Sequence, residues 1–192
     1  LKVLEGESTQ TLNNELKFFR ERALPDLSNN IKCGNSLIGP DFYNQTEMNF
    51  LDEEEKLRIN VFDWHKEFPQ VFKTQTSLSF KRRGNEGEVE NAGGFDVVIG
   101  NPPYVRQELI SEFKSYFENT YKVYHGIADL YSYFIERAVT LLKDGGYFSY
   151  IVANKWMRAN YGEPLRKWLK QQNLIEIVDF GDLPVFKGAT TY

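Results

Sequence analysis

Residues 95–104 read Phe95-Asp96-Val97-Val98-Ile99-Gly100-Asn101-Pro102-Pro103-Tyr104. The nearly unbroken apolar run over 95–99 predicts a strand in a sheet covered on both faces. The two prolines then stop it abruptly, because neither brings an N–H to a ladder. A chain with such a strand must supply further strands and covering helices.

The rest of the chain supplies candidates. Apolar spacing predicts helices over 11–23, 52–62, 107–119, 129–142 and 161–171. The 129–142 helix has Leu130, Phe134, Ala138 and Leu141 on one stripe. Residues 64–72 read as short helical or irregular chain, with Trp64, Phe68 and Phe72 as core. Further strands are expected at 31–33, 147–152 and 174–180, and residues 73–93 read as a loop insertion. Strands alternating with helices predict an α/β fold with helices on both faces of the sheet. Ligands in such folds sit at the carboxyl ends of strands. Gly34-Asn35-Ser36, Asn101 to Tyr104, Asn154 and residues 181–186 would gather there.

Asn101, Pro102, Pro103 and Tyr104 carry chemistry by their types. Around Pro102 the backbone offers only carbonyls, so the Asn101 side-chain oxygen and the Pro102 carbonyl form an acceptor pair. That pair suits a planar NH2 group, and the Tyr104 ring can stack on a heterocycle. The plain alternative is a strand stop without chemistry; the flanking apolar strand favours a pocket for an exocyclic amine. Arg106, Lys155 and Arg158 lie just past strand ends and are candidates for contacting a nucleic-acid backbone. Lys81-Arg82-Arg83 divides evenly between that role and a solvated charge run. Arg166, Lys167 and Lys170 read as an outward helix face. Asp96 reads as an anchor for a neighbouring loop, Asp129 as a helix N-cap, and Cys33 as a small buried residue.

Composition narrows the class. The 192 residues carry a net charge of -4, so any polyanion must meet a local basic patch. One cysteine and two separated histidines, His65 and His125, give neither a disulfide framework nor metal-ligand spacing. No signal peptide and no long apolar run are present, which fits a reducing cytoplasm and no membrane. Aromatic residues reach 15% and suit either a core or a flat-ring pocket. With no initiator Met and an extended-looking 188–192, the chain reads as a fragment of a longer protein.

The 95–105 segment resembles the catalytic motif of methyltransferases that make N6-methyladenine in DNA. Cys33-Gly34-Asn35-Ser36-Leu37-Ile38-Gly39, Phe62-Asp63-Trp64, Asp129-Leu130-Tyr131 with Phe134-Ile135-Glu136-Arg137-Ala138, Leu141-Leu142-Lys143-Asp144-Gly145-Gly146 and Val185-Phe186-Lys187-Gly188-Ala189 extend the likeness. Together they resemble the methylase domain of Eco57I-like enzymes, which combine modification with restriction. The resemblance implies part of a Rossmann-like sheet that uses S-adenosylmethionine and double-stranded DNA. It implies that Asn101 and the Pro102 carbonyl hold the N6 amine of a flipped adenine. Tyr104 would stack on that base and Phe186 would contact it from another side. Asn35 would accept from the amine of the cofactor's adenine, where the family more often has Asp, and Ser36 and Leu37 would border its ring. No metal is implied for transfer; a nuclease module elsewhere would need Mg²⁺. The family's upstream glycine loop has no counterpart before residue 31, so the isolated segment is expected to be inactive. Other acceptors fit the same turn: cytosine N4, an RNA adenine or a protein amide. A further alternative is an inactive DNA-binding piece.

Overall fold

The computed structural model describes residues 27–45, 52–72, 93–105, 111–181 and 183. The expected 11–23 helix, Lys81-Arg82-Arg83, Arg106 and Phe186 lie outside them. The chain divides into two units at Gly34 and Asn35. In the first, Asn30 and Ile31 donate their N–H groups to the Leu27 carbonyl, each at 2.8 Å. Residues 31–33 form no strand, contrary to the expectation. Cys33 is exposed, not the buried residue expected.

The second unit contains α1 (Phe42–Gln45), α2 (Glu53–Ile59), α3 (Trp64–Glu67), β1 (Phe95–Gly100), α4 (Lys114–Thr120), α5 (Tyr131–Thr140), β2 (Leu142–Tyr150) and α6 (Glu163–Leu169). Two 3-10 turns, Lys155–Met157 and Asn160–Gly162, precede α6. Local chemistry sets the helix starts. The Asp52 carboxylate accepts from Glu55 N–H at 2.8 Å, and Asp63 accepts from His65 and Lys66. Asn60 closes α2 with φ 51°, a left-handed value that Asn tolerates.

β1 and β2 pair in parallel, with Val97 opposite Tyr147 and Gly100 opposite Tyr150. This is a small parallel sheet flanked by helices, the partial form of the Rossmann-like sheet expected. Helix α5 packs on β2. It ends at Thr140 rather than 142, because Leu142 already pairs with Phe95. The register then jumps across Asp144-Gly145-Gly146 as an irregularity. Gly94 faces this bend: a Cβ there would stand 2.4 Å from the Lys143 nitrogen, so the two backbones meet only because residue 94 has no side chain.

Two strand expectations are corrected. β1 is not covered on both faces: Val97 and Ile99 are 54% and 75% exposed. Among the described residues it has one partner strand. Residues 174–180 form no strand and are exposed. Asp96 is exposed as well and forms an ion pair with Lys143 at 2.5 Å. The lysine, by hydrogen bond and charge, holds the Asp96 carboxyl below its usual range.

The core lies under α4 and α5 and is largely aromatic. Phe117 and Tyr133 stack at 4.7 Å, and Tyr116, Tyr121 and Tyr131 are buried beside them. Burial therefore accounts for many of the rings. Their hydroxyls find partners, as buried phenols must: Tyr121 donates to the Leu37 carbonyl, Tyr133 to the His125 carbonyl and Tyr116 to Asp41. Phe62, Trp64, Phe68, Phe72 and Phe95 form a second ring cluster. Trp64, Phe68 and Phe72 are only half-buried in it.

Candidate active site

Parallel pairing puts the carboxyl ends of β1 and β2 at one edge. Gly100 is opposite Tyr150, and its carbonyl accepts from Ile151 N–H at 3.1 Å. Asn101 therefore leaves the sheet beside Ile151. Pro102 is buried, whereas Asn101, Pro103 and Tyr104 are exposed. Asn101 makes no side-chain hydrogen bond to another described residue, so its amide is open to a ligand.

Tyr104 is anchored without being enclosed. Its hydroxyl reaches the Ile151 carbonyl at 3.4 Å, and its ring meets Tyr131 edge-on at 6.2 Å. Partial burial raises the Tyr104 pKa, so the phenol remains a neutral ring at ordinary pH. Tyr131 is fully buried and shares a hydroxyl–hydroxyl bond of 3.2 Å with Tyr161, whose hydroxyl also reaches Asp129 at 3.4 Å. Asp129 is thus not the N-cap expected. That position belongs to Leu130, without a side-chain bond, and the Asp129 carboxylate turns to Tyr161. Val105 closes the motif by accepting from Leu130 N–H at 2.9 Å.

Lys155 and Arg158 lie on the chain leaving β2, at the same edge, and both are exposed. Asn154 donates to Asp179 at 3.0 Å, as does Gly181 N–H. These two bonds hold the Asp179 carboxyl below its usual range, with a smaller contribution from the Arg158 charge. Arg158 therefore already has a carboxylate nearby, and Lys155 is the less committed cation. Arg166 was expected to point outward. It instead turns back and donates to the Trp156 and Ala159 carbonyls, stapling the segment that carries both residues.

Asn35, Ser36 and Leu37 form a second group. Asn35 bridges Val61, and its side-chain oxygen accepts from Leu37 N–H at 3.3 Å. One oxygen lone pair and both amide N–H groups stay available on Asn35. That donor–acceptor set fits an adenine edge, which offers an amine hydrogen and a ring nitrogen. The Leu37 side chain is 2% exposed and belongs to the core. No described hydrogen bond or ring contact joins this group to residues 101–104. Trp64 links it instead to Phe95, at the far end of β1.

Several supporting residues were not visible in the sequence. Glu136 is 5% exposed and accepts from Lys122 and Val123 N–H at 3.1 and 2.9 Å. A carboxylate on the apolar side of a helix was the available signal. Tyr121 and Tyr161 gave none, and Arg137 stood out only within the family-like stretch 134–138, because their partners lie 16 to 100 residues away.

Residues 7–186 match the family model described as Eco57I restriction-modification methylase. The chain is 31% identical over 201 residues to the type II restriction enzyme and methyltransferase RM.Eco57I of Escherichia coli, covering all of this chain and 16% of that protein. It is 42% identical over 96 residues to the type II methyltransferase M.PaeR7I of Pseudomonas aeruginosa, covering 49% of this chain and 17% of that protein. The type II methyltransferase M.XhoI of Xanthomonas vasicola is 39% identical over 94 residues, covering 48% and 17%. The chain thus spans about a sixth of the length of these curated relatives.

Proposed function

Because the chain belongs to the Eco57I restriction-modification methylase family, we propose that it forms part of an enzyme that transfers a methyl group from S-adenosylmethionine to N6 of adenine in double-stranded DNA. The observation that carries this is the open Asn101 amide beside the Pro102 carbonyl, with the anchored Tyr104 ring next to them. A duplex hides the target amine, so the nucleotide must swing out at a cost of a few kcal/mol. Tyr104 offsets part of that cost by stacking, and Phe186 meets the base from another side. Asn101 Oδ1 and the Pro102 carbonyl accept the two amine hydrogens. This aims the nitrogen lone pair and draws off positive charge as the new C–N bond forms. No base need act before attack; the proton leaves during or after transfer. S-adenosylmethionine, when bound, supplies the electrophilic methyl group.

Asn35 holds the cofactor's adenine through its remaining acceptor and donors, with Ser36 beside the ring; the Leu37 side chain, buried in the core, supports the turn from behind. Lys155, Arg158 and Arg106 contact the DNA backbone. No helix among the described residues is long and apolar enough to cross a membrane. A DNA substrate and a role in restriction–modification support a cytoplasmic location. Mg²⁺ is needed only where a nuclease module accompanies the methyltransferase.

Asn101→Ala in the full-length protein tests the core of the proposal. Transfer of labelled methyl to DNA should fall by about 100- to 1,000-fold, the usual effect of losing one fixed transition-state partner. DNA affinity in a gel-shift assay should stay within a few-fold. Wild-type methylation by this variant would refute the role given to Asn101.

A further inference from the structure

The backbone behind Asn35 is held at both ends of two successive peptide planes. In the first plane, the Ser36 carbonyl accepts from the Trp64 indole at 3.1 Å, while Leu37 N–H donates to Asn35 Oδ1 at 3.3 Å. In the second, the Leu37 carbonyl accepts from the Tyr121 hydroxyl at 2.7 Å and from Arg137 at 3.4 Å. Ile38 N–H of that plane donates to the Asn35 carbonyl at 3.0 Å. Arg137 Nε also donates to the Tyr121 oxygen at 3.1 Å, and its guanidinium carbon lies 5.3 Å from the centre of that ring. The bonds run in series from guanidinium to phenol to carbonyl, each polarising the next.

This exceeds what holding a turn requires. Loops are ordinarily held by their own backbone and by water. Here two distant aromatic side chains and an arginine fix the planes that set the Asn35 rotamer. Burial raises the Tyr121 pKa against the opposing charge of Arg137, so its hydroxyl stays a proton donor.

Resting on the reading of Asn35 as the cofactor's adenine contact, we propose that Tyr121 and Arg137 are positioning residues for cofactor recognition. They hold the Leu37 peptide so that the Asn35 amide meets the amine and ring nitrogen of the cofactor's base in one orientation. Base identity is then read by an amide: adenine matches it, and hypoxanthine, with a carbonyl and a ring N–H in those places, opposes it at both positions.

The test uses the full-length protein with S-adenosylhomocysteine and its hypoxanthine counterpart, S-inosylhomocysteine, titrated calorimetrically. The wild type should favour the adenine compound, and Asn35→Ala should abolish the preference. Tyr121→Phe and Arg137→Gln should each reduce it by about fivefold, the effect of one net hydrogen bond. Arg137→Lys, keeping charge and one donor, should recover most of the Arg137→Gln loss. A purely structural role would lower the melting temperature and leave the ratio of affinities unmoved. If Asn35→Ala abolishes the preference while Tyr121→Phe and Arg137→Gln retain the wild-type ratio, the positioning role is overturned and the Asn35 reading stands. If Asn35→Ala keeps the preference, the Asn35 reading fails, and the positioning role with it.

Discussion

Glu136 buries a carboxylate and gives it two backbone N–H groups, those of Lys122 and Val123. The turn they belong to carries Tyr121, so one α5 residue secures the turn and the next, Arg137, meets the tyrosine it presents. Glu136→Ala should lower unfolding free energy by about 2–4 kcal/mol, because an unsatisfied buried donor costs about 1–3 kcal/mol. A urea titration of the variant measures this. Glu136→Gln, which keeps one acceptor oxygen, should lose about half as much. At this scale the sequence reveals residues whose chemistry is local. Asn101, Pro102 and Tyr104 stand together in the sequence, at the end of a strand marked by its apolar run. The sequence hides Tyr121 altogether and the partners of Arg137 and Glu136, because these contacts arise only when distant segments close on one another. Asp129 shows the reverse error: its place ahead of a helix suggests a cap, but a tyrosine 32 residues away takes its oxygen.

At the scale of elements, helices are the legible part. Asp52 and Asp63 mark their helix starts by forming the caps their side chains favour, and Leu165 and Leu169 face inward on α6 as their spacing predicts. Strands are less legible, since a strand exists only with its neighbour. Residues 174–180 are apolar enough for a strand but have no described partner strand, and β2 begins at Leu142 because pairing with Phe95 outweighs the local signal of Asp144-Gly145-Gly146. The junction of the two 3-10 turns offers a direct check. A Cβ on Gly162 would lie 2.0 Å from the Trp156 carbonyl oxygen, a carbonyl that Arg166 also binds. Gly162→Ala should therefore destabilise the protein by about 1–3 kcal/mol, the usual range for overpacking. A lowered melting temperature would record it, and under the proposed DNA-contact role of Lys155 the full-length variant should also bind DNA more weakly.

For the whole molecule, the tyrosine-rich core sets the response to alkali. Tyr116, Tyr121, Tyr131, Tyr133 and Tyr150 all have pKa values raised, with burial as the leading cause in each. In the unfolded chain these phenols ionise near pH ~10, whereas folding keeps them protonated. Their contribution to stability is complete below that pH and disappears as pH rises toward the folded values. Melting temperature should hold steady to about pH 9.5 and then fall steeply. Tyrosinate absorbance from the buried rings should appear together with unfolding; its appearance while the fold persists would contradict this account. The bare side of β1 matters in another way. Val97 and Ile99 stand in water next to a backbone ladder with one described neighbour. Among the described residues that margin is unpaired and apolar, the kind of margin on which the strand of another chain can add itself.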